Sequence, residues 1–419
     1  MSNPQESNNP GSPPDLSQLN IKYTRDPNYY FSDGSATFLV DDVLFKVCFV
    51  VLWKGKFSHG VCRKFQASLL ASKDSKITFK VLPYSEAETL LDPSDEPQSQ
   101  LRRSDEHPIK ITNIRPFEFR ALLGVLIPRP ENMIHKYSFE DIHDEKKRGV
   151  NLFWKFFDVG VMSVHFELAD VARWAWPRVR IVLISAASKL AKMVWDKRWL
   201  QKIFVYYETI LVYAQNAANE LLAFFRFAIS RHGGDALYMA WRPTSELDAI
   251  LGLYRDSLSL SFPTSNLALG CIFVVILSLG HNSDMWKNKL TRDERSVLYI
   301  AQVHLVSLRN HPGLKLDWFH NPTDSGVLAQ VCSECSQHFT LAWSESFGRL
   351  GELNSPLPLE DVSKLANLPQ CRYYFAGKVR KSGRLCQADC AEKIIGEIDG
   401  HLNKVFNDQL VTIYKELAA

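Results

Sequence analysis

The chain has 419 residues, of which 46% are hydrophobic and 23% are charged, and both values are ordinary for a globular protein. A chain of this length predicts two or three domains. Its 49 Lys and Arg residues nearly balance its 46 Asp and Glu residues, so the formal charge of +3 gives no argument for nucleic-acid binding. Eight cysteines are too few for a disulfide scaffold.

The N-terminal sequence and the hydropathy pattern favour an intracellular protein. Residues 1–20 are rich in Ser, Asn, Pro and Gln, and we expect them to form a disordered polar tail. They lack the apolar core of a signal peptide. The longest uncharged apolar run, Leu267–Gly280, is too short to cross a bilayer as a helix. We therefore expect a cytoplasmic or nuclear protein with reduced thiols and no membrane partner.

A β-hairpin is predicted near the N-terminus. Strand-like alternation begins at Thr37, reverses at Asp41-Asp42, which suit a tight turn, and continues to Val47. The apolar positions of the two strands are Phe38, Val40, Val43, Phe45 and Val47.

The stretch His107–Pro128 predicts a short strand followed by a helix. The strand covers Ile109–Ile111, Pro116 lies near the first helical position, and Pro128 ends the helix. Apolar residues recur at the i, i+3, i+4 and i+7 positions of one helical face, namely Phe119, Leu122, Leu123 and Leu126.

These segments together resemble the BTB/POZ fold, and in particular a large set of fungal BTB proteins. The similarity is carried by YYFSDGSATFLVDDVLFKV at Tyr29–Val47 and by FEFRALLGVLIP at Phe117–Pro128. A third segment, Ala67–Phe79, resembles the next helix of that family, so the match covers roughly residues 25–130. The resemblance implies an α+β protein, with a small BTB/POZ-like sheet and helices followed by a mostly α-helical C-terminal region.

The resemblance also implies a non-enzymatic interaction protein that dimerises or serves as an adaptor. The implied partner is a second copy of the chain or another BTB-type protein. A cullin-type ubiquitin ligase scaffold or a transcriptional complex would be the wider context. Asp33 would occupy the acidic position before the first hairpin strand, and it is the one charged residue that we assign to partner binding.

We expect the BTB-like domain to cover residues 21–135 and the helical region to cover 136–419, with room for a subdomain boundary near residue 231. Two segments interrupt the first domain. Residues 83–103 are rich in Ser, Asp, Glu and Pro and predict a surface loop. Residues 48–66 separate the hairpin from the next family-like helix, and they are either translated intron or a genuine surface insertion.

The C-terminal region has helical periodicity and one strongly basic stretch. Helices are predicted over Leu152–Trp174, Ile181–Phe227 as one helix or a broken one, Glu246–Leu258, Leu267–Leu279, Asp293–Arg309 and Gly326–Leu350, with a last amphipathic helix through Ile395 and Ile413. Within Trp176–Ala214, seven basic residues precede Tyr206 against a single acid, Asp196. This stretch is a basic aromatic binding surface, an amphipathic helix with a solvated basic face, or mis-spliced sequence.

Four cysteines near the C-terminus could hold zinc. Cys332 and Cys335 form a C-x₂-C pair, and Cys386 and Cys390 could supply the second pair of a tetrahedral site. The sequence around Cys332 predicts a helix rather than a zinc knuckle, so buried apolar thiols are the alternative. A zinc-stabilised C-terminal binding module is therefore the second functional hypothesis.

Catalytic motifs are missing from the sequence. It contains no Walker loop, no G-x-S-x-G elbow and no H-E-x-x-H helix. We therefore predict no catalytic residue and no cofactor other than zinc. An enzyme with its site in the helical region is the remaining alternative.

Overall fold

The structure is a computed structural model of the chain. It describes residues 23–32, 36–47, 105, 108–112, 114–126, 140–190, 197–234, 244–258, 265–306, 308, 311, 314, 331–352, 360–382 and 389–418. Its contacts divide the chain into an N-terminal unit, Met1–Met133, and a C-terminal unit, Ile134–Ala419. The described residues form a mostly helical α+β structure with one small sheet near the N-terminus.

The N-terminal unit contains a four-stranded sheet of order β1-β3-β2-β4. Its strands are β1 (Thr24–Tyr30), β2 (Ala36–Val40), β3 (Val43–Val47) and β4 (Ile109–Ile111). The β2–β3 hairpin turns at Asp41, whose φ of 51° is left-handed and is tolerated by Asp. β4 pairs in parallel with β2, with Phe38 opposite Ile109. The predicted hairpin and the predicted third strand are confirmed.

β1 was not predicted. It contains Asp26, Pro27 and Asn28, residue types that are depleted in strands, so its sequence gives no alternating signal. It nevertheless pairs in parallel with β3, and the register shifts between Arg25 and Tyr30. The pairing therefore comes from the tertiary context rather than from local propensity.

One helix, α1 (Pro116–Leu126), covers the sheet, as the sequence predicts. Phe119 is fully buried, and its ring centroid lies 5.6 Å from that of Phe38 and 5.0 Å from that of Phe45. The backbone N–H of Arg115 donates to Glu118 at 2.9 Å, which satisfies a donor at the start of the helix. The polar tail, residues 48–66, Ala67–Phe79 and residues 83–103 lie outside the described residues.

The C-terminal unit packs its helices around one apolar cluster that extends from Ile142 to Tyr414. The helices are α2 (Val150–His165), α3 (Ala169–Leu190), α4 (Lys197–Ser230), α5 (Thr244–Ser257), α6 (Ser265–Leu279), α7 (Arg292–His304), α8 (Ser333–Ser346), α9 (Glu360–Ser382), α10 (Cys390–Asn403) and α11 (Leu410–Ala418). The apolar helix α6 packs against α4, α5, α9 and α11. Among the described residues, no helix combines the length and the apolar character needed to cross a bilayer.

Several predicted helix boundaries are wrong. The expected helix Leu152–Trp174 is two helices, because the chain turns at Glu167, whose φ is 54°. The expected final helix is interrupted by a π-helical segment, Lys404–Gln409, between α10 and α11. The helix α9 was not predicted at all, and it contains Pro369.

Glycines allow close approach between elements of the C-terminal unit. A Cβ atom on Gly160 in α2 would lie 2.8 Å from the indole ring of Trp176. A Cβ atom on Gly270 in α6 would lie 1.8 Å from the carbonyl oxygen of Phe406, which is too short for any contact. At these two crossings the fold needs a residue without a side chain.

Candidate metal centre and buried ion network

Three cysteines come together where two helices of the C-terminal unit begin. Cys332 caps the N-terminus of α8, Cys335 lies in its first turn, and Cys390 is the first residue of α10. Their Sγ atoms all lie within 4.8 Å of one another. Within the part of the chain that the structure describes, this is the one group of potential ligands close enough to hold a metal ion.

The local backbone explains how α8 presents its two sulfurs. Cys332 is extended, and its carbonyl oxygen accepts the N–H groups of Cys335 and Ser336 at 3.1 and 3.0 Å. The N–H of Cys332 donates to the Sγ atom of Cys390 at 3.5 Å. Cys335 and Cys390 are buried, whereas Cys332 is partly exposed. A hydrogen bond from the backbone of Cys332 therefore links the start of α8 to the side chain of Cys390.

Of the four cysteines that the sequence offers as zinc ligands, the structure brings Cys332, Cys335 and Cys390 together. Cys386, the fourth predicted ligand, lies outside the described residues. The helix expected around Cys332 is present as α8, which begins at Ser333, so that Cys332 caps it. His338, which follows in α8, is exposed and does not belong to the group.

Two other described cysteines match the alternative of buried apolar thiols. Cys271 lies in α6 and Cys371 lies in α9, and both are fully buried. Burial raises the pKa of the Cys271 thiol to about 12 and raises the pKa of the Cys371 thiol well above its usual range. The Cys271 Sγ atom is 3.9 Å from the carbonyl oxygen of Arg226, to which it donates. These thiols stay protonated at neutral pH.

A chain of charged side chains, which the sequence did not predict, joins four helices of the same unit. Its members are Arg180 in α3, Glu220 in α4, Arg372 and Arg380 in α9, and Glu392 and Asp399 in α10. Arg372 donates to both oxygens of Asp399 at 2.8 and 2.7 Å, and to Glu220 at 3.1 Å.

Arg380 and Arg180 complete this buried ion network. Arg380 donates to Glu220 at 3.1 and 2.5 Å, and to Glu392 at 2.8 and 3.2 Å. Arg180 donates to the same Glu392 carboxylate. The bidentate geometry satisfies most of the buried polar atoms, which is the condition under which buried charge is tolerated.

The electrostatics of the network keep its central carboxylate ionised. Burial alone would raise the pKa of Glu220, but the guanidinium groups of Arg372 and Arg380 outweigh burial and hold that pKa far below its ordinary value. The carboxylates of Asp399 and Glu220 raise the pKa of Arg372 although burial opposes them. Glu220 and Arg372 are therefore charged at neutral pH, whereas burial raises the pKa of Asp399 although Arg372 opposes the effect.

A solvent-open cavity of about 600 Å³ lies against the network. Its walls include Glu220, Arg372, Tyr373, Tyr374 and Gly377. A carboxylate that is held ionised by two guanidinium groups is a poor general acid or base. Glu220 is therefore unsuited to act as a general acid or base in this cavity.

In the basic stretch Trp176–Ala214, several of the side chains that the structure describes make internal contacts. Trp176 is fully buried, and the ring of Trp199 lies 3.9 Å from the ring of Trp154. Lys197 pairs with Asp256 at 2.8 Å. These contacts favour the helical interpretation over a nucleic-acid or membrane surface.

Asp33, the residue assigned to partner binding, lies outside the described residues. No family model, no curated protein and no solved structure matches this chain. Its function therefore has to be argued from its own residues.

Proposed function

We propose that this chain is a non-enzymatic interaction protein that binds its partner through the N-terminal unit. One observation carries the proposal. The β2–β3 hairpin, the parallel strand β4 and the covering helix α1 are built from the same segments that resemble the BTB/POZ fold. The partner would be a second copy of the chain or another BTB-type protein. Adaptor duty towards a cullin-type ubiquitin ligase scaffold or a transcriptional complex would follow from that binding.

Exposed aromatic side chains provide contact surface on this unit. Phe31 follows β1 and is 36% exposed, and Phe117 in the first turn of α1 is 38% exposed. The guanidinium carbon of Arg115 lies 4.5 Å from the centre of the Phe117 ring. Aromatic residues and Arg are enriched in protein interfaces. We therefore assign Phe117 as a contact residue and keep Asp33 as the charged residue to test beside it.

The mechanism would be burial of apolar surface, with no bond made or broken. An obligate dimer typically buries about 2,000 Å² or more in total. The aromatic core of Phe38, Phe45 and Phe119 is already fully buried within the unit. Binding would therefore use the outer surface and leave this core intact.

The test is the mass of the full-length chain in solution, measured by sedimentation velocity over a range of concentrations, alone and mixed with a BTB-type protein. We expect concentration-dependent dimers or a mixed complex. Phe117→Glu should weaken association by tenfold or more, because it would bury an unpaired charge. Val303→Glu is the matched control, since Val303 is a 75% exposed apolar residue on α7 of the other unit.

Two results would count against partner binding by this unit. One is a monomer under every condition, with no complex. The other is an equal effect of Phe117→Glu and Val303→Glu. The same measurement on a chain that lacks residues 48–66 shows whether that segment impairs association, and Asp33→Lys tests the sequence-based assignment.

A further inference from the structure

We propose that Cys332, Cys335 and Cys390 bind a zinc ion that fastens the start of α8 to the start of α10. In tetrahedral zinc sites the Zn–S distance is about 2.3 Å, which places two sulfurs about 3.8 Å apart. The three sulfurs already lie within 4.8 Å of one another. Closing onto an ion therefore requires side-chain shifts of about 1 Å or less. This site lies in the C-terminal unit and does not depend on partner binding by the N-terminal unit.

All three proposed ligand residues lie at helix N-termini. Cys332 and Cys335 lie at the N-terminus of α8, and Cys390 lies at the N-terminus of α10. The unpaired N–H groups of a helix start carry partial positive charge and stabilise a nearby anion. The N–H of Cys332 also points at the Cys390 sulfur, and N–H to sulfur bonds of this kind hold metal-bound thiolates in position.

Two other described cysteines of the unit are separate from the cluster. Cys271 and Cys371 are fully buried, and burial raises the pKa of each thiol. The three clustered cysteines instead share one location at which two helix starts meet. Cys332 is partly exposed, which gives an ion a route to the site.

A ligand set made only of sulfur selects the metal. Thiolates prefer zinc, monovalent copper and iron–sulfur centres over magnesium or calcium. Zinc fits three cysteines on helix starts because it has no geometric preference beyond the tetrahedron and needs no redox partner. The three described sulfurs fill three of its four positions.

Bound zinc would close a long loop within the C-terminal unit. Helix α8 packs on α9, and α9 packs on α10. Cys332 and Cys390 are 58 residues apart, so a shared ion would restrict the unfolded chain much as a cross-link does. The ion would join α8 to α10 directly, in addition to the packing of each of these helices on α9.

The experiment is the metal content of the full-length chain, purified without chelator and measured by inductively coupled plasma mass spectrometry. We expect one zinc per chain. Cys332→Ser, Cys335→Ser and Cys390→Ser should each lose the ion, because serine is a poor zinc ligand. Cys371→Ser is the matched control. It also changes a buried cysteine of the same unit, and it should keep the zinc.

Three results would overturn the proposal. They are a chain without zinc, a chain that holds copper or iron instead, and zinc that persists in all three variants. A second measurement uses the unchanged chain, so its result does not depend on whether the variants fold. Alkylation of Cys332, read by peptide mass spectrometry, should be at least tenfold faster after a zinc chelator is added. Equal rates with and without chelator, or a disulfide between two of the three cysteines, would also refute the site.

Discussion

The two units hold buried charge in different ways. In the N-terminal unit, Asp26 accepts the N–H groups of Asn28 and Tyr29 at 2.9 Å, close to it in the chain, and pairs with the half-buried Arg120. In the C-terminal unit, the buried Arg372 reaches Glu220 across 152 residues of sequence. In the first unit one buried carboxylate has a single charged partner, whereas in the second unit Glu220, Arg372 and Arg380 share their charged partners in a network. Substitutions should therefore act through different contacts in the two units.

The largest effect is expected at the centre of the buried ion network. Arg372→Met leaves the carboxylates of Glu220 and Asp399 buried with fewer partners, which should cost about 3–5 kcal/mol of unfolding free energy. Urea unfolding measures this loss. Arg173→Met is the control, because Arg173 pairs with Asp170 at the surface, where such pairs are worth about 0–1 kcal/mol. Equal effects of the two substitutions would contradict the role assigned to the network.

A change of similar size is expected in the N-terminal unit, confined to that unit. Phe119→Ala removes the ring that packs on Phe38 and Phe45, and should cost about 3–5 kcal/mol. Hydrogen exchange should show lost protection in peptides of β2, β3 and α1. Peptides of α6 and α9 should be unchanged. Phe117→Ala, at an exposed position of the same helix, should have little effect, and loss of protection throughout the chain would contradict the division into units.

The network also predicts a pH dependence. The pKa of Glu220 is below its ordinary value of 4.5 in the folded protein, so its ionisation stabilises the fold above that pH. This stabilisation is lost as the pH falls below 4.5 towards the folded-state pKa. The destabilisation caused by Glu220→Gln should therefore be largest at pH 7 and should shrink in acid, as measured by urea unfolding at each pH. Glu345→Gln, at a surface pair with Lys378, should have a small effect throughout. A Glu220→Gln effect that is constant with pH would contradict the lowered pKa of Glu220 in the folded protein.

The smallest effects come from two helical glycines with opposite expected signs. Gly270→Ala forces a Cβ atom against the Phe406 carbonyl, and should cost about 1–3 kcal/mol. Gly377 lies in α9, and a Cβ atom there meets nothing within 4 Å. Gly377→Ala should therefore stabilise the protein by about 0.5–1 kcal/mol, because alanine is the better helix former. Thermal unfolding of both variants measures the difference, and destabilisation by Gly377→Ala would contradict the packing described at that position.

The predictable features are those carried by short periodic patterns. The hairpin, β4 and α1 follow from alternation of apolar residues at periods of 2 and 3.6, and Phe38 and Phe119 lie in the core as expected. The strand β1 was not predicted because Pro27 weakens its strand-like alternation. The helix α9 was not predicted because Pro369 is normally a helix breaker. Tertiary packing keeps the helix continuous around this residue.

The ion network could not have been predicted, because the chain has 49 basic and 46 acidic residues and no local pattern says which of them pair. One weak signal existed, since Arg372 stands among apolar residues in CRYYF. The cysteine cluster was partly predictable, because C-x₂-C spacing is local. Its third member, Cys390, was one of several downstream cysteines, and only the fold brings it close while Cys371 stays in the core. Cys386 stays a prediction.

The most direct test of the proposed zinc site is hydrogen exchange of the full-length chain with and without a zinc chelator. Removal of the metal should lower protection in the first turns of α8 and α10, which begin at Ser333 and Cys390. Protection in β2, β3 and α1 should not change. Identical exchange at both helix starts with and without chelator, or a loss of protection that extends to the sheet, would contradict the account.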